Sequence, residues 1–244
     1  YPKAADKVPS MRHAFDQWGK TGASFFIRPN SLFFGGHAVP FVFTRQICDD
    51  FKYYVENGVR GTDFDSLLGY WATTGPTYYA LARQHWDTQL DADTVLDREY
   101  CPAFGPMAPV VKEYFDHWER FTAEAWLDPT LPERSKKLSP YSNTRGRIML
   151  CGEIYTPEVL AKGWEILDRG APLLAKATEE ERARFENIRL DDKRLKELGA
   201  LGLVQPLKLS CADHEGGGAV RFQQWDGQQW KLVSDWVQAD RALL

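Results

Sequence analysis

The stretch from Gly58 to Asp87 constrains the fold most. Asn57-Gly58 reads as a helix stop. Val59 to Phe64 then reads as a short buried strand, with Asp63 and Asp65 near its C-terminal end. Ser66 to Thr74 is a polar, Gly-containing loop that carries Tyr70 and Trp71. Pro76 suits a first helical turn, and Tyr78, Leu81, Ala82 and His85 follow at helical spacing. In a barrel of parallel strands, carboxylates and aromatics just past a strand end are where substrates are met. An ordinary βα unit with solvated aspartates has the same pattern.

The same order occurs once upstream. Pro9 to Lys20 reads as an amphipathic helix with Met11, Phe15 and Trp18 on one face. Ala23 to Ile27 is a compact apolar run, expected as a buried strand. Arg28, Pro29 and Asn30 close it, so Arg28 and Asn30 take the same kind of position as Asp63 and Asp65. Thr44 is the expected N-cap of a helix whose apolar face is Ile47, Cys48, Phe51, Tyr54 and Val55. Helix, strand, helix, strand, helix is the alternation of a parallel sheet. The two strands should therefore be adjacent and parallel.

Downstream the pattern is helical. Asp91–Tyr100, Val110–Trp126 and Thr156 to about Ala177 carry helical periodicity, and Asp128 to Asn143 reads as a polar, proline-rich loop. Thr156-Pro157-Glu158 is an N-cap with proline at the first helical position, and Glu153 and Glu158 read as surface charge near that start. Thr178 with Glu181 is a capping-box pattern, opening a helix through Leu190. In the tail, Val220 to Trp225, Asp226-Gly227 and Gln229 to Val233 give a hairpin signal. Gly216-Gly217-Gly218 lacks the spacing and the Lys of a phosphate loop.

These residues carry two resemblances. Asn57-Gly58-Val59-Arg60-Gly61, Gly75-Pro76-Thr77-Tyr78-Tyr79, Ala82-Arg83 and Trp86-Asp87 form one ordered series. It continues with Asp91-Ala92-Asp93, Phe104-Gly105-Pro106-Met107-Ala108 and Tyr155-Thr156-Pro157-Glu158-Val159-Leu160. In it, residues of about 15 to 190 resemble a bacterial glycoside-hydrolase-like family, the domain of unknown function 4838. The part with Gly-Val-x-Gly and a loop Trp is similar to the last strand of α-glucuronidases. The tail, with Ser210-Cys211-Ala212-Asp213-His214-Glu215 and Gln224-Trp225-Asp226-Gly227, resembles the C-terminus of periplasmic branched-chain amino-acid-binding proteins of ABC transporters.

The first resemblance implies an α/β, mostly helical chain. Residues 1–87 would be the end of a (β/α) barrel with its last two parallel strands, 88–190 a helical region, and 191–244 a C-terminal β-hairpin segment. It implies a carbohydrate-active, glycoside-hydrolase-like protein that binds sugars, acidic ones included, at strand-end loops. Asp63 and Asp65 are then the candidate catalytic carboxylates, and Arg28, Asn30, Tyr70 and Trp71 the candidate substrate contacts. Part of the catalytic site is expected to be absent, because such barrels collect carboxylates from several strands. The alternatives are a fragment of a periplasmic solute-binding protein and a helical interaction module. Both resemblances imply an extracellular or periplasmic place, and the chain shows no signal-like segment.

Composition narrows the partners. The 244 residues give room for a sizeable core, and the net charge of −4 offers no basic footprint for nucleic acid. No apolar run reaches the roughly 20 residues of a membrane span, so membrane insertion is not expected. Nine Trp, ten Tyr and fourteen Phe suit sugar faces or cores. Cys48, Cys101, Cys151 and Cys211 form no C-x-x-C pair, so no metal or other cofactor is expected and buried free thiols are. The expected partner is a small molecule or oligosaccharide, with a homodimer through the helical region as a further expectation. His85, on a helix face, and His214, in the tail, read as locally satisfied rather than catalytic.

Overall fold

A computed structural model describes residues 8–29, 39–64, 71–126, 128, 130–138 and 150–200, and the strand residues 219–220, 223–225, 230–232 and 237–238. The chain is mostly helical, with one small two-stranded parallel sheet. That sheet pairs β1 (Phe25–Ile27) with β2 (Val59–Thr62). Around it run α1 (Val8–Gly19), α2 (Thr44–Glu56) and α3 (Trp71–Trp86) in the expected order. Phe25 pairs with Val59, Phe26 with Gly61 and Ile27 with Thr62. Arg60 has no counterpart, which makes a β-bulge. Asp63 extends the ladder by donating its N–H to the Ile27 carbonyl at 2.8 Å.

The strand expected to be wholly buried is not. Phe25 and Ile27 are half-buried, whereas Phe26 is 78% exposed. Strand side chains alternate faces, and among the described residues helices cover the face of Phe25, where Phe15 of α1 meets it at 5.3 Å between ring centroids. Trp18, expected on the same face of α1 as Phe15, is exposed.

The core lies among the helices that follow. After α3 come α4 (Ala92–Val95), a π-helical turn (Leu96–Tyr100) and 3₁₀ turns (Cys101–Met107) leading into α5 (Ala108–Trp126). Val111, Tyr114, Phe115, Trp118, Thr122 and Trp126 make the buried stripe of α5, at the spacing of one helix face. Trp118 is fully buried. Gly163 on α7 (Pro157–Asp168) lets it in, since a Cβ there would stand 2.6 Å from the Trp118 ring. Between them in sequence is α6 (Leu131–Leu138), and α8 (Glu179–Ala200) closes the region. Phe185 and Ile188 of α8 join a core that begins at Phe41.

Several helix boundaries follow the expected chemistry. The Thr156 hydroxyl caps Val159 N–H at 3.4 Å. Thr178 and Glu181 exchange backbone–side-chain bonds of 2.9 and 3.3 Å, a complete capping box. Others differ. Thr44 does not cap α2; it is buried, its hydroxyl 2.8 Å from that of Thr77. Pro76 lies inside α3, because the helix already begins at Trp71. Part of the expected loop from Asp128 forms α6, started by the Asp128 carboxylate on Thr130 N–H at 2.8 Å and held by buried Leu131 and Ser135. α7 ends at Asp168, followed by 3₁₀ turns over Ala171–Lys176, and α8 runs past Leu190 to Ala200.

By contacts the chain divides into two units, Tyr1–Glu197 and Leu198–Leu244. In the second, β3 (Ala219–Val220) pairs antiparallel with β6 (Val237–Gln238), and β4 (Gln223–Trp225) with β5 (Trp230–Leu232). The expected turn at Asp226-Gly227, with Phe222, lies outside the described residues, as does His214.

The start of α2 is held from α5 rather than by its own cap. Val42 N–H donates to the Thr122 hydroxyl at 3.1 Å, and Arg45 N–H to Glu119 Oε1 at 2.7 Å. Glu119 also pairs with the Arg45 guanidinium, which reaches Asp116 and Asp93 at 2.8 Å each. A hydrogen bond to a charged group contributes about 1.5–3 kcal/mol. Glu119→Ala should therefore lower the urea-unfolding free energy by about 2 kcal/mol. Glu119→Gln, which keeps an acceptor for Arg45 N–H, should cost less; equal midpoints for Glu119→Ala and wild type would remove this anchor.

Candidate functional site

The C-terminal ends of β1 and β2 bring two of the expected residues together. Arg28 directly follows β1, and its Nε donates to Asp63 Oδ2 at 3.0 Å. Both side chains are exposed, at 60% and 73%. The geometry follows from the register. Arg28 stands two residues past Phe26 and Asp63 two past Gly61, and Phe26 pairs with Gly61. With a side-chain period of two, all four lie on the sheet face away from α1.

Asn30, Asp65 and Tyr70 lie outside the described residues. Trp71 opens α3 instead of sitting in a loop. It is the last turn of α3 that meets β2, through His85 Nε2 and the Thr62 hydroxyl at 2.6 Å. Trp71 precedes His85 by fourteen positions, about 21 Å along the axis at 1.5 Å per residue.

His85 is tied on both sides of its ring. Nδ1 lies 2.7 Å from the Leu81 carbonyl, which only accepts, so Nδ1 carries the proton. In the neutral ring Nε2 then accepts from the Thr62 hydroxyl. Phe51 stacks on the ring at 4.4 Å and Phe64 meets it edge-on at 5.8 Å. His85 thus fastens α3 to the helix-covered side of the sheet.

The sequence reading missed Phe26. It sat inside an apolar run, but the alternation Phe25, Phe26, Ile27, Arg28 carries the signal: Phe26 shares the parity of a charged residue. Its ring lies over Gly61, where a Cβ would stand 2.2 Å from Cε1. The open face therefore holds an aromatic ring and an Arg–Asp pair side by side. An aromatic face takes the C–H face of a sugar, while the pair supplies both a donor and an acceptor.

Other chemistry is less well placed. Cys48 and Cys101 are free thiols, and burial pushes the thiols of Cys48, Cys101 and Cys151 up to about 12, 11 and 12, out of the nucleophilic range at neutral pH. Among the described residues no group of three His, Cys, Asp or Glu side chains is arranged to hold a metal, and no helix is long and apolar enough to cross a membrane. Two open clefts have other linings. One, of about 590 Å³, runs along α1 by Phe15, Asp16 and Lys20 to Asn57. The other, of about 300 Å³, lies between α5 and α7 at His117, Lys162, Glu165, Ile166 and Arg169. Compared with known proteins, the chain matches no family model, no curated protein and no solved structure.

The second cleft has a pH signature. Burial, then Arg120, hold His117 below the usual histidine range, with Lys162 adding to this and Glu113 and Glu124 opposing it. A depressed histidine binds its proton more readily when the chain is unfolded, so stability falls as pH drops below about 6.5. Asp50, raised by burial to about 6, acts in the opposite sense, so the test is a difference. His117→Gln should lose less stability than wild type between pH 7.5 and 5 in urea titrations. Parallel profiles would show that His117 does not titrate against the fold.

Proposed function

We propose that this chain is the C-terminal part of a carbohydrate-active, glycoside-hydrolase-like protein, and that it holds sugars at the C-terminal ends of β1 and β2. The observation that carries the reading is the Arg28–Asp63 pair, 3.0 Å apart on one open face at the ends of adjacent parallel strands. Barrel enzymes collect substrate contacts at that end of their strands. In this reading β1 and β2 are the last two strands of a (β/α) barrel, and the helices from α4 onward are its C-terminal helical region. The tail hairpin and an extracellular or periplasmic place belong to the same proposal.

Asp63 acts first as a sugar contact. Hydrolysis of a glycosidic bond takes two carboxyls, about 5–5.5 Å apart for retention or 6.5–9.5 Å for inversion. Asp65 is the sequence candidate for the second. The reading therefore expects binding without efficient turnover by this chain.

Titration of ¹⁵N-labelled protein with a mixed panel of neutral and acidic oligosaccharides tests it. Shifts should cluster at residues 26–28 and 61–63. Arg28→Ala and Asp63→Ala should each weaken binding about tenfold, the worth of a hydrogen bond to a charged group. The reading fails if no saccharide moves these resonances, or if both variants bind as wild type does.

A further inference from the structure

We infer that the open face of the β1–β2 sheet is a stacking subsite for a neutral pyranose, with Phe26 as its floor and the Arg28–Asp63 pair as its polar rim. The inference rests on the carbohydrate reading above and names the ligand class of that same site. Three observations carry it.

The first is the exposure of Phe26. A phenylalanine 78% open on a strand is not core, and its ring is supported from below by Gly61. Any side chain at position 61 would occupy the ring's place: the built Cβ lies 2.2, 2.7 and 2.9 Å from three ring carbons. Glycine at this one position lets the ring lie against the second strand, and this places a flat apolar surface beside the polar pair. Aromatic faces of this kind take the C–H face of a sugar ring.

The second is the bulge. It sets Gly61, not Arg60, opposite Phe26. With regular pairing the long Arg60 side chain would share that face with the ring. The bulge clears the floor and turns Asp63 outward to reach Arg28.

The third is charge. Asp63 already answers the Arg28 guanidinium at 3.0 Å, so the pair as a unit is neutral. A sugar hydroxyl fits it in both senses, donating to Asp63 and accepting from Arg28. A sugar carboxylate fits it in one sense only and sets a second negative charge beside Asp63. Its repulsion from Asp63 and its attraction to Arg28 largely offset each other, so a carboxylate gains little from the pair and still gives up hydration that a hydroxyl gives up more cheaply. The site should therefore favour glucose-type rings over glucuronate-type rings of the same shape.

Methyl β-D-glucopyranoside and methyl β-D-glucuronide distinguish the cases, since they differ only at C6. Each is titrated against wild type, Phe26→Ala, Gly61→Ala and Arg28→Ala, with chemical-shift mapping and saturation-transfer difference NMR. The neutral glycoside should bind wild type more tightly than the acid. Saturation should reach H1, H3 and H5, the protons of one ring face. Phe26→Ala should weaken binding by about three- to tenfold without changing the melting temperature, because the residue is exposed. Gly61→Ala should weaken it similarly by tipping the ring. The inference is overturned if the glucuronide binds more tightly, or if Phe26→Ala binds like wild type while Arg28→Ala does not; either result leaves the sugar reading standing. If neither glycoside moves any resonance of residues 26–28 or 61–63, both fall together.

Discussion

The fold of the first unit hangs on a polar contact between two helices. α2 begins without a cap of its own: Phe43 precedes it, and Thr44 points into the core toward Thr77. The orphaned amides that open any helix need acceptors. One acceptor comes from α5, Glu119 for Arg45, and on the same face Thr122 accepts from Val42 N–H just ahead of the helix. Glu119 and Thr122 are three residues apart, so a single turn of α5 presents both. The apolar stripe of α5, with Trp118 at its centre, fixes α5 in the core. Through these two acceptors that rigidity passes to α2, and α2 is the connection between β1 and β2. The sheet is therefore positioned from the helical core, not by its own ladder, which is too short to stand alone.

Much of this order was legible in the sequence because it depends on local signals. Turn residues at Asn57-Gly58, the capping box at Thr178 and Glu181, and the proline after Thr156 each act within a few residues. The helix–strand alternation of the first ninety residues also found its parallel pair. What misled were residues whose partner is distant. Thr44 looks like a cap, but a hydroxyl on another helix claims it. The polar stretch after Asp128 looks like a loop, but Leu131 finds the core and one helix forms there.

The candidate site was legible in part, for a related reason. Arg28 and Asp63 were singled out because position at a strand end is a local property, and the structure places the two side chains in contact. Phe26 was lost because an apolar run hides its own alternation: nothing in Phe25-Phe26-Ile27 says which of the three faces out until Arg28 is seen to share a face with the middle one. Trp71 was read as a loop residue because that reading started α3 at Pro76, and the helix begins at Trp71. Helix geometry, once the start moved to Trp71, carried it along the axis from the end that touches β2.

The bulge at Arg60 has a consequence for how this strand tolerates change. Val59 and Gly61 are two residues apart and yet meet opposite faces of the sheet, so parity is broken once, at a single residue. Losing that residue would restore regular pairing and leave every later side chain on the side it already occupies. Losing or gaining a residue between Gly61 and Asp63 would instead send the carboxylate to the helix-covered side, away from Arg28. Within β2, chain length is thus free at one position and fixed at its neighbours, whatever amino acids are written there.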